Sequence, residues 1–157
     1  MIKQDAIFNK VTDISIDFLK KNHIKGVILD VDNTLLNLDE EMLPGAKEWV
    51  ESLKDNNFKV CIASNSVKKS KLDKVSKELG IKYIRWSLKP LKRGLKRALR
   101  ITNLQRKEVA EIGDQYFTDV IGAKRMKMFS ILTKPISDEK HWINKVKRKI
   151  EKFFIKN

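Results

Sequence analysis

Apolar residues along this chain fall into two rhythms. Short, nearly unbroken runs of strand length recur at residues 26–30 (GVILD), 58–64 (FKVCIAS), 82–86 (KYIRW), 109–113 (VAEIG) and 128–133 (MFSILT). Between them the apolar positions recur at helical spacing. Residues 44–56 carry Ala46, Trp49, Val50 and Leu53, and residues 67–79 carry Leu72, Val75 and Leu79 before Gly80, a natural C-cap. Pro90 suits the first turn of a helix with Leu91, Leu95, Ala98 and Leu99, and residues 115–126 predict another. Strand followed by helix, repeated along the chain, predicts an α/β fold: a Rossmann-like, doubly wound, parallel five-stranded sheet with helices on both faces. Two amphipathic helices are predicted to flank it. One covers about 5–21 with Ile7, Val11, Ile14, Phe18 and Leu19, the other about 138–155 with Trp142, Ile143, Val146, Ile150, Phe153 and Phe154.

A chain of 157 residues predicts one domain with a real core. No repeat or Pro/Gly/Ser-rich linker divides it, and no stretch approaches the roughly 20 apolar residues that span a bilayer. The opening MIKQDAIFNK has no apolar signal core, so the expected location is cytoplasmic, free or peripheral at the inner face of a membrane. Cys61 is the single cysteine and lies in an apolar run, so it reads as a core residue and supports neither a disulfide nor a cysteine zinc site.

Charge changes the picture. The formal net charge is +14, and all of the excess lies in the second half: residues 1–78 hold 13 basic and 13 acidic side chains, residues 79–157 the remaining 21 and 7. A one-sided surplus attracts an anionic polymer, surface or substrate, whereas a general compositional taste for lysine would spread it evenly.

In a parallel sheet the chemistry gathers at the carboxyl ends of the strands. The first predicted strand ends in Asp30 and Asp32, the second in Ser64 and Asn65, the third is followed by Lys89, and the fourth by Asp114 with Asp119 five residues on. Two acids converging on one small volume need a proton or a cation between them, so Asp30 and Asp32 suit either acid and base work or a divalent metal. Carboxylates for a hard cation, with a hydroxyl and an ammonium for phosphoryl oxygens, are an inventory for metal-assisted chemistry on phosphate. Each residue also has a plainer reading: Asp32-Asn33 as a turn, Ser64-Asn65 as a helix N-cap, Lys89 as a surface lysine, Asp114 and Asp119 as acids at a helix start. His23 and His141 belong to no motif and read as structural.

The ordered set ILDVDNT (28–34), CIASN (61–65), SLKP (87–90) and GDQYFTD (113–119) resembles the haloacid dehalogenase (HAD) superfamily over roughly residues 24–135. At finer resolution IKGVILDVDNTL (24–35), SN (64–65), LGI (79–81), KP (89–90) and IGDQYFTDVIGAKRM (112–126) resemble the YqeG-like branch of subfamily IIIA, related to mitochondrial-type phosphatidylglycerophosphate phosphatases. Ser66, where asparagine is expected, and Lys92-Arg93 before Gly94 depart from that pattern. The resemblance implies a Mg2+-dependent phosphomonoesterase. Asp30 would be the nucleophile, forming an aspartyl phosphate, and Asp32 the acid and base, its backbone carbonyl also on the metal. Asp30 and Asp114 would supply the metal's carboxylates. Ser64 with Asn65 would hold phosphoryl oxygens, Lys89 would neutralise charge, and Asp119 would support the metal or orient Lys89.

Cap domains enclose small substrates in larger relatives. Here the intervals from Asp32 to Ser64 and from Ser64 to Lys89 each accommodate one helix and one strand, leaving no room for a cap. An open site suits a large partner that excludes water itself. Anionic phospholipid at a membrane surface is the expected one. Lys92, Arg93, Lys96, Arg97 and Arg100 make a basic helix side beginning beside Lys89. The last predicted helix interleaves Lys145, Lys147, Arg148, Lys149, Lys152 and Lys156 with its apolar residues, as interfacial helices do. The alternatives are that this apolar stripe packs on the domain, that the substrate is a nucleic acid end or another phosphomonoester, or that the chain is a basic binding module on a retired phosphatase fold.

Overall fold

The computed structural model describes residues 1–137, 150–152 and 154–155. Six parallel strands form one sheet: β1 (Ala6–Phe8), β2 (Gly26–Leu29), β3 (Lys59–Ala63), β4 (Lys82–Ile84), β5 (Val109–Gly113) and β6 (Phe129–Thr133), in the order β1-β6-β5-β2-β3-β4. The five expected strands are all present: β5 has the expected bounds and the others are a residue or two shorter. Helices α1 (Ile16–Lys21), α2 (Ala46–Asp55), α3 (Lys69–Leu79), α4 (Lys92–Thr102) and α5 (Ile121–Arg125) lie between consecutive strands. One large apolar cluster joins α2 and α3 to one face of the sheet through Trp49, Val50, Leu53, Leu72 and Val75. A second joins α4 to the other face through Leu95 and Ala98 against Ile28, Cys61 and Ala63. No helix among the described residues is long and apolar enough to cross a membrane.

The N-terminal segment corrects the sequence reading. Instead of one helix over 5–21 it forms edge strand β1, a 3-10 turn at Val11–Asp13 and the six-residue α1. One local cap and one distant contact break the helix. Ser15 caps α1 by accepting from the Phe18 N–H at 3.0 Å. Asp5 docks the preceding chain on β6, its carboxylate accepting from the Ser130 N–H at 2.8 Å and from its hydroxyl at 3.0 Å. Val11 and Ile14 are still buried, as the pattern required, but in a turn between a strand and a helix.

Elsewhere the punctuation works as expected. Gly80 closes α3 in the left-handed conformation at φ 62°. The helix expected from Pro90 begins two residues later, at Lys92. Residues 115–126 form a π-helical turn, Tyr116–Val120, that runs into α5. Most of the basic helix expected over 138–155 lies outside the described residues. At its end Phe154 stacks on Tyr116 with centroids 6.1 Å apart and meets Phe117 edge-on at 5.7 Å, so this part of the apolar stripe packs on the domain.

Candidate active site

β2 is buried at all four positions and occupies the centre of the sheet. From it the chain winds outward through β3 and β4, then returns to the other side of β2 with β5 and β6, so the winding reverses between β2 and β5. Ligand crevices form at such a reversal, beyond the carboxyl ends of the strands. Register pairs Leu29 with Ile112, and the Asp30 N–H donates to the Ile112 carbonyl at 2.9 Å, so the crevice opens between Asp30 and Asp114.

Carboxylate oxygens of Asp30, Asp114 and Asp119 lie within 4.8 Å of one another, and all three residues are buried. Asp114 also accepts from the Thr34 hydroxyl at 3.4 Å. Asp119 reaches in from the π-helical turn. It accepts from the Gln115 N–H at 3.0 Å, and its carboxylate lies so close to Gly113 that a Cβ there would sit 2.1 Å from Oδ2.

Lys89 is 4 % exposed and donates to three carboxylates: Asp119 at 2.7 Å, Glu111 at 3.1 Å and Asp30 at 3.3 Å. Burial opposes its charge, but the surrounding acids outweigh that and hold its pKa well above the usual lysine value. Burial pushes Asp30 well up, and the nearby carboxylates add to the effect while Lys89 opposes it. One ammonium does not neutralise so many acids. A hard divalent cation beside Asp30 and Asp114 would supply the missing positive charge, and the donor set is all oxygen, so the residues present fit Mg2+.

Asn65 and Ser64 build the neighbouring wall. The Asn65 Oδ1 accepts from the Lys89 N–H and the Ser87 hydroxyl, both at 2.8 Å, and its Nδ2 donates to the Lys89 carbonyl at 2.9 Å. The amide expected to help hold phosphate is therefore engaged with the Lys89 segment. Ser64 is fully buried at the end of β3; its hydroxyl accepts from the Ser66 N–H at 3.0 Å and its carbonyl from the Ser87 N–H at 2.9 Å. Gly94 lets α4 lie against this segment, because a Cβ there would sit 2.1 Å from the Ser87 carbonyl oxygen.

Asp32 stands apart from the acidic cluster. Its side chain is 46 % exposed and pairs with Lys71 of α3 at 2.5 Å. Its charge still adds to the crowding that raises the pKa of Asp30, although its own carboxylate turns to Lys71 rather than to the three that converge. The plainer readings of Lys89, Asp114 and Asp119 as surface residues do not hold.

Two neighbours escaped the sequence reading. Glu111 looked like one residue of a strand, yet it is 1 % exposed, pairs with Lys89, and its Oε2 has no hydrogen-bond partner among the described residues. Burial pushes its pKa up to about 8, against the pull of Lys89. A charge within the central apolar run VAEIG was the available signal, since such a carboxylate needs a buried partner. Lys71 gave no signal in so lysine-rich a chain.

This fold and these strand-end residues define a HAD-type phosphatase. The sequence model of the family described as mitochondrial PGP phosphatase matches residues 1–137, and the chain belongs to that family. It is 33% identical over 149 residues to "Probable phosphatase YqeG" of Bacillus subtilis (strain 168), covering 94% of this chain and 86% of that protein. Among solved structures, a HAD phosphatase from Thermococcus onnurineus shares the fold with a TM-score of 0.65 at 15% identity, covering 76% of this chain and 90% of that one. The cobalt-bound deoxy-D-mannose-octulosonate 8-phosphate phosphatase of Haemophilus influenzae does so with a TM-score of 0.56 at 18% identity, covering 74% and 81%.

Proposed function

We propose that the chain is a Mg2+-dependent phosphomonoesterase working through an aspartyl phosphate on Asp30, with phosphatidylglycerophosphate as its substrate. The observation that carries the chemistry is Asp30 itself: a carboxylate at the centre of the switch-point crevice, beside Lys89 on one side and Asp114 on the other.

An oxygen of Asp30 attacks phosphorus, and the bond from phosphorus to the ester oxygen breaks. Asp32 gives its proton to the leaving alkoxide, then takes one from a water that attacks the aspartyl phosphate. The bond from phosphorus to Asp30 breaks and inorganic phosphate leaves. The exposure of Asp32 suits this role, since it stands outside the acidic cluster and within reach of solvent. Lys89 balances charge on Asp30 and on the phosphoryl group. Ser64 contributes its hydroxyl and Asn65 holds Lys89 in place. Asp30, Asp114 and the backbone carbonyl of Asp32 would hold Mg2+, with Asp119 keeping Lys89 oriented. When bound, the ion neutralises phosphoryl charge as the transition state develops.

Two facts support a lipid: the family's description, and a crevice with no cap domain among the described residues, since the chain between Asp32 and Ser64 is used by a turn, α2 and β3. The net charge of +14 keeps nucleic acid ends as a second reading. Mg2+-dependent phosphate release from phosphatidylglycerophosphate in vesicles, from phosphorylated oligonucleotide ends and from small phosphomonoesters tests both. Preference for the lipid supports the first reading, preference for oligonucleotide ends the second, and preference for a small soluble ester removes both.

A further inference from the structure

The segment that carries Lys89 is inside out. From Trp86 to Lys89 exposure runs 60%, 0%, 49% and 4%, so the polar Ser87 and Lys89 point inward while Trp86 and Leu88 face solvent. Leu91, 52% exposed, follows in the same segment. Trp86 and Leu88 also sit at φ 51° and 55°, in the left-handed region that bulky side chains rarely occupy. Such backbone strain gathers where a structure holds side chains in place for use. Beside this segment the β3 loop, tied to it through Ser64, Asn65 and Ser87, displays Val67 at 63% exposure.

Charge surrounds these apolar tips. Arg85 precedes Trp86, and Lys92 and Arg93 follow Leu91; all three are exposed, and none is in an ion pair among the described residues. Residues 85–107 contain no acid at all. We infer that Val67, Trp86, Leu88 and Leu91, framed by Arg85, Lys92 and Arg93, form the surface that seats this protein on an anionic bilayer, with the crevice opening toward the lipid headgroups. Tryptophan and leucine enter the boundary between headgroups and acyl chains, and arginine and lysine around them meet anionic headgroups. A second copy of the chain fits poorly, because it would bring one basic rim against another. Nucleic acid fits poorly too, since three of the four tips are aliphatic and offer no ring for a base to stack on. This inference rests on the lipid reading proposed above and gives it a physical surface. It also places the expected membrane contact at the rim of the site, while Phe154 near the C-terminus packs on Tyr116.

The test is binding of the full chain to phosphatidylcholine–phosphatidylglycerol vesicles and to pure phosphatidylcholine vesicles, for the wild type and for Trp86→Asn/Leu88→Asn. Asparagine tolerates the left-handed conformation, so the double variant keeps the backbone while removing the apolar tips. Expected are wild-type binding to the anionic vesicles with a blue shift in tryptophan emission, and binding weakened roughly tenfold to a hundredfold in the variant. The midpoint of thermal unfolding and turnover of p-nitrophenyl phosphate should not fall. Replacing Arg85, Lys92 and Arg93 by glutamine should weaken binding to anionic vesicles and leave the slight binding to neutral ones unchanged. Undiminished binding in the double variant, no binding by the wild type, RNA binding that the double variant loses, or a wild-type oligomer that it dissociates would each overturn the inference. Short-chain phosphatidylglycerophosphate below its micelle concentration separates the two proposals. Its hydrolysis without vesicle binding sinks the docking surface and keeps the substrate; vesicle binding without its hydrolysis does the reverse.

Discussion

Asn65 clasps the backbone of Lys89 from both sides, accepting from its N–H at 2.8 Å and donating to its carbonyl at 2.9 Å. The residue after the β3 serine therefore fixes where the buried ammonium arrives. Replacing Asn65 by alanine should lower kcat on the order of tenfold to a hundredfold with little change in KM, because positioning is lost rather than a substrate contact. Steady-state kinetics on a soluble phosphomonoester checks this. A rise in KM alone would return Asn65 to the role of a phosphate ligand.

Lys89 is also a keystone of stability. Removing it as Lys89→Met leaves Asp30, Glu111 and Asp119 buried without their shared cation. The expected loss is about 3–5 kcal/mol in denaturant unfolding, the usual cost of stranding buried charge. Adding Glu111→Leu to that variant should recover part of it, since a buried polar group left without its partner is then gone.

Gly113 carries a separate prediction. The Asp119 carboxylate occupies the space that a Cβ would need, 2.1 Å from Oδ2, so Gly113→Ala must displace the acid that holds Lys89 most closely. A loss of about 1–3 kcal/mol is expected from the crowding, accompanied by a fall in kcat. An alanine variant with native stability and turnover would show that the Asp119 contact is dispensable.

The edge strand gives a pH dependence. Burial raises the pKa of Asp5, but hydrogen bonds from Lys124 and Ser130 outweigh it and leave the carboxyl below its usual value of 3.8. A lowered folded pKa contributes stability above the unfolded pKa and loses it as pH falls through the folded one. Asp5→Asn should therefore be less stable than the wild type near neutrality by a modest margin, because Asp5 is partly exposed and screened. The gap should narrow as pH falls below the usual carboxyl value and through the lowered folded one, where the wild-type carboxyl takes up its proton. Thermal unfolding of the two proteins across pH 2.5–7 measures it.

Much of the sheet was visible in the sequence because each core strand is a run of apolar residues between clear helix punctuation. The strand-end residues were visible because four short motifs occur in order. What escaped had a common physical cause: it depended on partners distant in sequence. β1 is three residues long and held by Ser130, 125 positions away from Asp5, so local spacing read it as helix. Glu111 and Lys71 acquire their roles only through Lys89 and Asp32. Asn65 showed its type but not its direction, which is set by the loop 24 residues further on. The exposed Trp86 and Leu88 sat inside or beside a predicted strand, where their side chains would ordinarily be buried; the left-handed backbone at both positions turns them out.

The central claim is that Asp30 is the nucleophile of a Mg2+-dependent phosphatase, and its most direct measurement is phosphate release by the wild type and by Asp30→Asn, with Mg2+ and with a chelator. Asparagine matches the size of the buried side chain, so the fold should survive, as checked by an unchanged circular dichroism spectrum. The account predicts release by the wild type only with the ion present, and at least a thousandfold loss in the variant, roughly the scale on which removing a nucleophile acts. Turnover by Asp30→Asn at the wild-type rate would contradict it.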